Sequence, residues 1–258
     1  MLSRISKFTL KKNKSKIICL TAYSKNIAEE IDKYTDMILV GDSLGSVLYN
    51  YKTTRKVTLQ MMIEHAKSVR LGIKKSLMIV DMPYKTYRNK KEALKNCKKI
   101  IKETKCDGVK LEGGVKIKNI VNHLNINKIP VMGHIGILPQ LVRGKFKSKG
   151  KSEKEKKQLM KDAVILEKMG CFGIVLECIE KNLSNKITKA IKIPTIGIGS
   201  SNCCDGQILV TDDLLGLTNS KIKFVKKYVD LKKYIRKGVK KFRSEVIHKK
   251  YPTKSYSY

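Results

Sequence analysis

Five apolar runs in this chain each stop on one ionisable residue: Asp42 after MILVG, Asp81 after SLMIV, Glu112 after GVKL, His134 after IPVMG and Glu177 after FGIVL. Near-continuous Val, Ile and Leu runs are how the strands of a parallel sheet read when both of its faces are covered. In such folds the reacting groups gather at the carboxyl ends of the strands. A polar residue set repeatedly at that end implies an enzyme, and three carboxylates among the five imply a divalent cation held by oxygen ligands.

Strands are expected near 16–23, 37–42, 76–82, 108–112, 129–134, 171–177 and 193–198, with a weaker one near 222–225 (IKFV). Between them lie stretches such as TLQMMIEHAKSVRLG, KKEALKNCKKIIKET and EKKQLMKDAVILEKMG, each with an apolar stripe at helical spacing. Alternation of this kind builds βαβ units, and 258 residues match the roughly 250 of one (β/α)8 TIM barrel. The expected fold class is therefore α/β, a single (β/α)8 TIM barrel domain over 1–258. The start, MLSRISKFTLKKNKSK, reads as a short amphipathic N-terminal capping helix that sets Ile5, Phe8 and Leu10 against the barrel bottom. Residues 141–157, rich in Gly, Ser and Lys, break the rhythm and read either as a lid or as an ordinary solvated loop.

A formal charge of +34 raises nucleic acid as a partner. Only seven of the 56 basic residues are arginine, however, and lysine lacks the planar fork that reads phosphate and guanine in two bonds at once. The lysines are spread along every helical segment with no aromatic interleaving, so they read as solvated faces rather than a nucleic-acid surface. No apolar stretch approaches the roughly 18 residues that span a bilayer. Seven cysteines at irregular spacings, without a Cys-x-x-Cys pair, fit a reducing compartment, hence a cytoplasmic location, and argue against thiolate zinc.

Asp42 and Ser43 sit in VGDSLGS, whose glycines permit a tight turn, although Asp-Ser before a helix is also an ordinary N-cap. Asp42, Asp81 and Glu112 at corresponding strand ends are the candidate Mg²⁺ ligands. Lys110, two residues before Glu112, points to the same side of its strand and faces the same pocket. Glu177 is flanked by apolar residues, which raises a carboxyl pKa toward the range useful for a general base. His134 is a possible substrate contact. His65 reads as packing or surface, and His123 and His248 carry no motif.

Taken together, TAY at 21–23, VGDSLG at 40–45, VTLQMMIEHAKSVRLG at 57–72, DMPY at 81–84, VKLEGG at 109–114, GHIGILPQ at 133–140, VLEC at 175–178 and GIGS…CDGQILVTDDLLGL at 197–217 resemble the ketopantoate hydroxymethyltransferase family. The resemblance implies transfer of a hydroxymethyl group from methylene-tetrahydrofolate to 2-oxoisovalerate (3-methyl-2-oxobutanoate). The product would be ketopantoate, formed through an enolate stabilised by Mg²⁺, for pantothenate and coenzyme A synthesis. It further implies that Asp42, Asp81 and Glu112 are the Mg²⁺-associated positions, that Asp42, Ser43, Asp81 and Lys110 bind the oxoacid, and that Glu177 is the proton acceptor. A cytoplasmic homo-oligomer, commonly a decamer, is implied as well. The chain departs from the family pattern at Ser24, at Ser148 and Lys149 in GKFKSKG, and at Ser200 and Ser201. The competing readings are another Mg²⁺-dependent barrel acting on oxoacid enolates, of the phosphoenolpyruvate mutase and isocitrate lyase type, and a basic nucleic-acid-binding protein.

Overall fold

A computed structural model describes residues 2–142 and 147–258. The chain contacts form two compact units, Met1–Val210 and Thr211–Tyr258, each described here by itself. In the first unit the elements follow the order α1 (Arg4–Thr9), β1 (Ile17–Thr21), α2 (Lys25–Ile31), β2 (Met37–Val40), α3 (Leu44–Val47), α4 (Leu59–Gly72), β3 (Leu77–Asp81), α5 (Lys90–Thr104) and β4 (Gly108–Glu112). They continue with α6 (Lys118–Ile126), β5 (Val131–Gly136), α7 (Glu153–Lys168), β6 (Gly173–Glu177), α8 (Lys181–Ala190), β7 (Thr195–Ile198) and β8 (Gly206–Leu209). All eight strands are parallel, each paired with the next, and β8 returns to β1 to close the barrel. The (β/α)8 TIM barrel expected from the alternation is therefore the observed fold.

The eighth strand is a correction. It is GQIL at Gly206–Leu209, not IKFV at 222–225, which belongs to no strand and whose Ile222 is exposed. IKFV has the better strand propensity, but barrel closure selects by fit: a Cβ at position 206 would lie 2.4 Å from the Ile17 carbonyl oxygen, so the β1–β8 seam takes only glycine there.

The helices are amphipathic for the reasons the sequence supplies. In α5 the Asn89 side chain caps the Glu92 N–H, and Ala93, Cys97, Ile100 and Thr104, at steps of four, three and four, are buried on one face. In α7 Ser152 caps Glu155, and Leu159, Ala163 and Leu166 are buried.

Strand periodicity of two divides the hydrophobic residues into two clusters. Met78, Val80, Val109, Leu111, Ile174 and Leu176 face outward and pack with the helices. Ile17, Met37, Leu77, Ile79, Met132, Val175, Ile196 and Ile208 fill the lower interior of the barrel. Helix α1 closes that end as expected. Phe8 is 2% exposed and meets Phe172 edge to face at 5.8 Å between ring centroids, with Ile5 packed against the same cluster. Leu10, expected there as well, is a correction, since it lies past the last turn of α1 and is exposed. Gly173 makes room, since a Cβ there would come within 3.2 Å of the Phe8 ring. Burying such a side chain contributes about 1.5–3 kcal/mol.

The second unit holds α9 (Thr211–Leu214) and α10 (Leu231–Ile247). The Leu231 N–H donates to the Leu215 carbonyl, Lys232 Nζ donates to Asn219 Oδ1, and Phe242 packs on Tyr251 at 5.4 Å. Among the described residues no helix is long and apolar enough to cross a membrane.

Candidate active site

Register brings the polar strand ends into one ring. Directly opposed across neighbouring strands are Asp81 and Lys110, Glu112 and His134, and Gly136 and Glu177. Because Lys110 and Glu112 are two apart on β4, both side chains enter the barrel, as do Leu77, Ile79 and Asp81 in turn along β3. Asp42, Asp81, Lys110, Glu112 and His134 are all buried, none more than 5% exposed, at the mouth above the apolar floor.

The contacts run continuously around the ring. Lys110 Nζ lies 3.0 Å from Asp81 Oδ1 and 3.1 Å from His134 Nδ1. His134 Nε2 faces Glu177 Oε2 at 3.1 Å, and its Nδ1 is 3.8 Å from Glu112 Oε1. The Asp42 N–H donates to Asp81 Oδ2 at 3.1 Å. Gln140 joins the remaining pair, donating from its backbone N–H to Glu112 Oε2 at 3.1 Å and from Nε2 to Asp42 Oδ2 at 2.9 Å. Ser43, half-buried in the turn before α3, shares a hydrogen bond of 2.8 Å with the Tyr23 hydroxyl.

Burial and like charge shape the protonation of this ring. Desolvation, reinforced by Asp81, pushes the Asp42 carboxyl up to about 7. Glu112 is raised well above the usual carboxylate range by burial, with Lys110 opposing. Burial also raises Glu177 to about 7 against the pull of Lys110. For Lys110 itself burial disfavours the charge, but Asp81, Glu112 and Asp42 together outweigh it and hold the ammonium above its ordinary value. His134 is pushed well below its ordinary range, first by burial and then by Lys110, so its ring is neutral. An ammonium has only donors. His134 Nδ1 therefore accepts from Lys110, and the ring proton sits on Nε2, facing the Glu177 carboxylate.

Two atoms of the ring lack a well-aligned partner. Asp81 Oδ1 and His134 Nε2 are buried and near Lys110 and Glu177 respectively, but off the direction a hydrogen bond needs. Among the described residues no group of three His, Cys, Asp or Glu side chains stands ready to hold a metal ion as placed. Lys110 Nζ and Gln140 Nε2 reach in among the carboxylates instead. The donor set nonetheless suits a hard cation: several carboxylate oxygens gathered out of water, one of them with an unsatisfied lone pair.

Around Glu177 the backbone is as constrained as the side chains. Gly136 has φ +101°, and a Cβ there would lie 2.2 Å from the Glu177 carbonyl oxygen, so only glycine permits β5 to pass this close to β6. The Ile137 N–H donates to that same carbonyl at 2.9 Å.

The structure thus gathers Asp42, Asp81, Lys110, Glu112, His134 and Glu177 in one network, with Ser43 at its edge. His65 serves packing, its Nδ1 2.7 Å from the Tyr23 carbonyl oxygen and its Nε2 2.9 Å from the Tyr49 hydroxyl. Ser200 bonds Ser184 at 2.6 Å and the Ile179 carbonyl oxygen at 3.1 Å. Of the 141–157 segment, residues 143–146 lie outside the described residues. Residue-by-residue reading gave no role to Gln140 or to Tyr87, whose hydroxyl donates to Gln140 Oε1 at 2.7 Å. The only signal was the place of Gln140 in GHIGILPQ, just past the fifth strand.

Comparison with known proteins places this ring in context. Phosphonopyruvate hydrolase, solved with oxalate and Mg²⁺, superposes with a TM-score of 0.61 at 8% identity over 81% of each chain. Oxaloacetate acetylhydrolase, solved with 3,3-difluorooxalacetate, gives 0.59 at 12% identity over 97% of this chain and 98% of that one. At such identities the likeness is one of fold. In sequence, the 3-methyl-2-oxobutanoate hydroxymethyltransferase of Pelagibacter ubique (strain HTCC1062) is 59% identical over the full length of both chains. That of Rhizobium etli (strain ATCC 51251 / DSM 11541 / JCM 21823 / NBRC 15573 / CFN 42) is 45% identical over 94% of this chain and 90% of its own. The family model for ketopantoate hydroxymethyltransferase matches residues 3–254. A barrel whose mouth carries these carboxylates, and whose sequence matches those relatives over nine tenths or more of each chain, is an enzyme that belongs to the ketopantoate hydroxymethyltransferase family.

Proposed function

We propose that this chain transfers a hydroxymethyl group from methylene-tetrahydrofolate to 2-oxoisovalerate, giving ketopantoate for pantothenate and coenzyme A synthesis. The observation that carries the reading is the place of a partly buried Glu177, its carboxyl pushed up to about 7, facing a cluster of buried carboxylates across the same mouth. Asp42, Asp81 and Glu112 would hold Mg²⁺. When bound there, the cation supplies Lewis acidity to the keto oxygen and offsets the negative charge that develops on it.

The chain's own groups do the rest. Glu177 Oε2 takes the proton from the carbon next to the carbonyl, a task for which a carboxyl near pH 7 is well matched. The neutral His134, with its proton on Nε2 beside Glu177 but aligned to no partner, contacts the substrate. The Lys110 ammonium, fixed by Asp81 and His134, faces the oxoacid carboxylate, and Ser43 and Asp42 complete that side. A low-dielectric mouth strengthens each of these interactions relative to water.

The carbon nucleophile then attacks the one-carbon unit, which requires both reactants in line. Beside Glu177 a cleft of about 640 Å³ is lined, among the described residues, by Gly136, Ile137, Leu138, Leu141, Val142, Lys147 and Lys149. Its apolar wall and two lysines suit a folate ring with its acidic tail. The protein works on small molecules in the cytoplasm as a homo-oligomer, commonly a decamer in this family, with one barrel domain over 1–258 as the functional unit.

Incubation with 2-oxoisovalerate, methylene-tetrahydrofolate and Mg²⁺ should yield ketopantoate by mass spectrometry, and omission of folate should abolish it. A folate-independent carbon–carbon cleavage of other oxoacids in its place would transfer the chain to the mutase and lyase reading.

A further inference from the structure

Gln140 is the most thoroughly bonded side chain of the mouth. It is 2% exposed, and every polar atom it has is engaged by a different part of the barrel. Its N–H reaches Glu112 at the end of β4, and its Nε2 reaches both Asp42 beyond β2 (2.9 Å) and the Met82 carbonyl beyond β3 (2.9 Å). Its own carbonyl accepts from Arg55 Nε at 2.8 Å. An amide in this position has two orientations, and only one is compatible with its neighbours. The Tyr87 hydroxyl, 2.7 Å from Oε1, donates there, because the amide oxygen can only accept. The Met82 carbonyl, which can only accept, takes Nε2 and so fixes this orientation, and the Tyr87 hydroxyl anchors the opposite end of the amide.

We propose that Gln140 is a positioning residue for the cation: its side-chain amide, anchored by Tyr87 and the Met82 carbonyl, holds the Asp42 carboxylate, while its backbone N–H holds Glu112. The inference rests on the metal reading above and adds to it a supporting pair. Outer partners of ligating groups hold them in their binding rotamers, so their loss weakens metal binding without removing a ligand. Gln140 acts here on two carboxylates from two strands at once, and a third strand end, at Met82, pins it.

The test is calorimetric titration of the full chain with Mg²⁺ alone, for the wild type, Gln140→Leu and Tyr87→Phe, with metal-free melting curves beside it. Gln140→Leu should weaken Mg²⁺ binding by about 10- to 100-fold. Tyr87→Phe keeps the ring and its packing, removes only the hydroxyl, and should weaken binding several-fold with little change in the metal-free melting temperature. Unchanged affinity in Tyr87→Phe, whatever Gln140→Leu does, overturns the proposal. A wild type that takes up no Mg²⁺ overturns the metal reading itself and this inference with it, a result distinct from variants that bind as well as the wild type.

Discussion

The two halves of the barrel interior are built on opposite principles. Below, Ile17, Met37, Leu77, Ile79, Met132 and Ile208 interdigitate over Phe8 in one apolar cluster. Above, at the carboxyl ends of β3 to β6, Asp81, Lys110, Glu112 and His134 are buried together, with the partly buried Glu177 beside them. The lower half gains stability from close packing. The upper half is electrostatically strained: carboxyls forced up toward neutral pH are groups whose ionised form the fold disfavours. The difference teaches where the molecule holds itself together and where it reserves charge for a ligand.

Substitutions should separate the halves. Phe8→Ala removes an aromatic from the floor and should cost up to about 3–5 kcal/mol, while the surviving folded protein keeps its Mg²⁺ affinity. Asp42→Asn, isosteric and still able to accept from Gln140, should leave metal-free stability at pH 8 unchanged or raised and abolish tight Mg²⁺ binding. Thermal melts and calorimetry on both proteins check this contrast. A Phe8→Ala protein that melts like the wild type, or an Asp42→Asn protein that loses several kcal/mol, would erase it.

A smaller effect sharpens the same point through pH. Asp42 and Glu177 have folded pKa values near 7, above the ordinary 3.8 and 4.5, so the folded state keeps protons that the unfolded chain has lost. Their stabilising contribution is therefore complete below about pH 4 and disappears as pH rises through about 7. The melting temperature of metal-free protein should fall between pH 5 and 8, Asp42→Asn should reduce that slope, and Mg²⁺ should reverse it. A slope of the opposite sign would mean that the mouth carboxylates are better satisfied in the fold than in water.

Much of this division is legible in the sequence, because parity in a strand is unambiguous. Lys110 and Glu112 must share a side, and an apolar run ending in Asp81 or Glu177 must put that group at the strand terminus. The floor follows from the same runs, and Phe8 from helical spacing. Two things were not legible. Gly206–Leu209 carries too little strand propensity to announce itself, since its selection depends on how closely β1 and β8 approach. The role of Gln140 depends on a loop folding back across three strand ends, and nothing in the local pattern of ILPQ encodes which carboxylates it will meet.

The central claim is that Glu177, in a mouth furnished with carboxylates for a cation, removes the proton next to the oxoacid carbonyl. Proton NMR of 2-oxoisovalerate in deuterium oxide, with wild type and Glu177→Gln, each with and without Mg²⁺, tests it most directly. The account predicts Mg²⁺-dependent loss of the methine signal with the wild type, faster as pH rises through about 7. It also predicts exchange slowed by about 10²- to 10⁴-fold in Glu177→Gln. Undiminished exchange in Glu177→Gln, or exchange in the wild type indifferent to Mg²⁺, would contradict it.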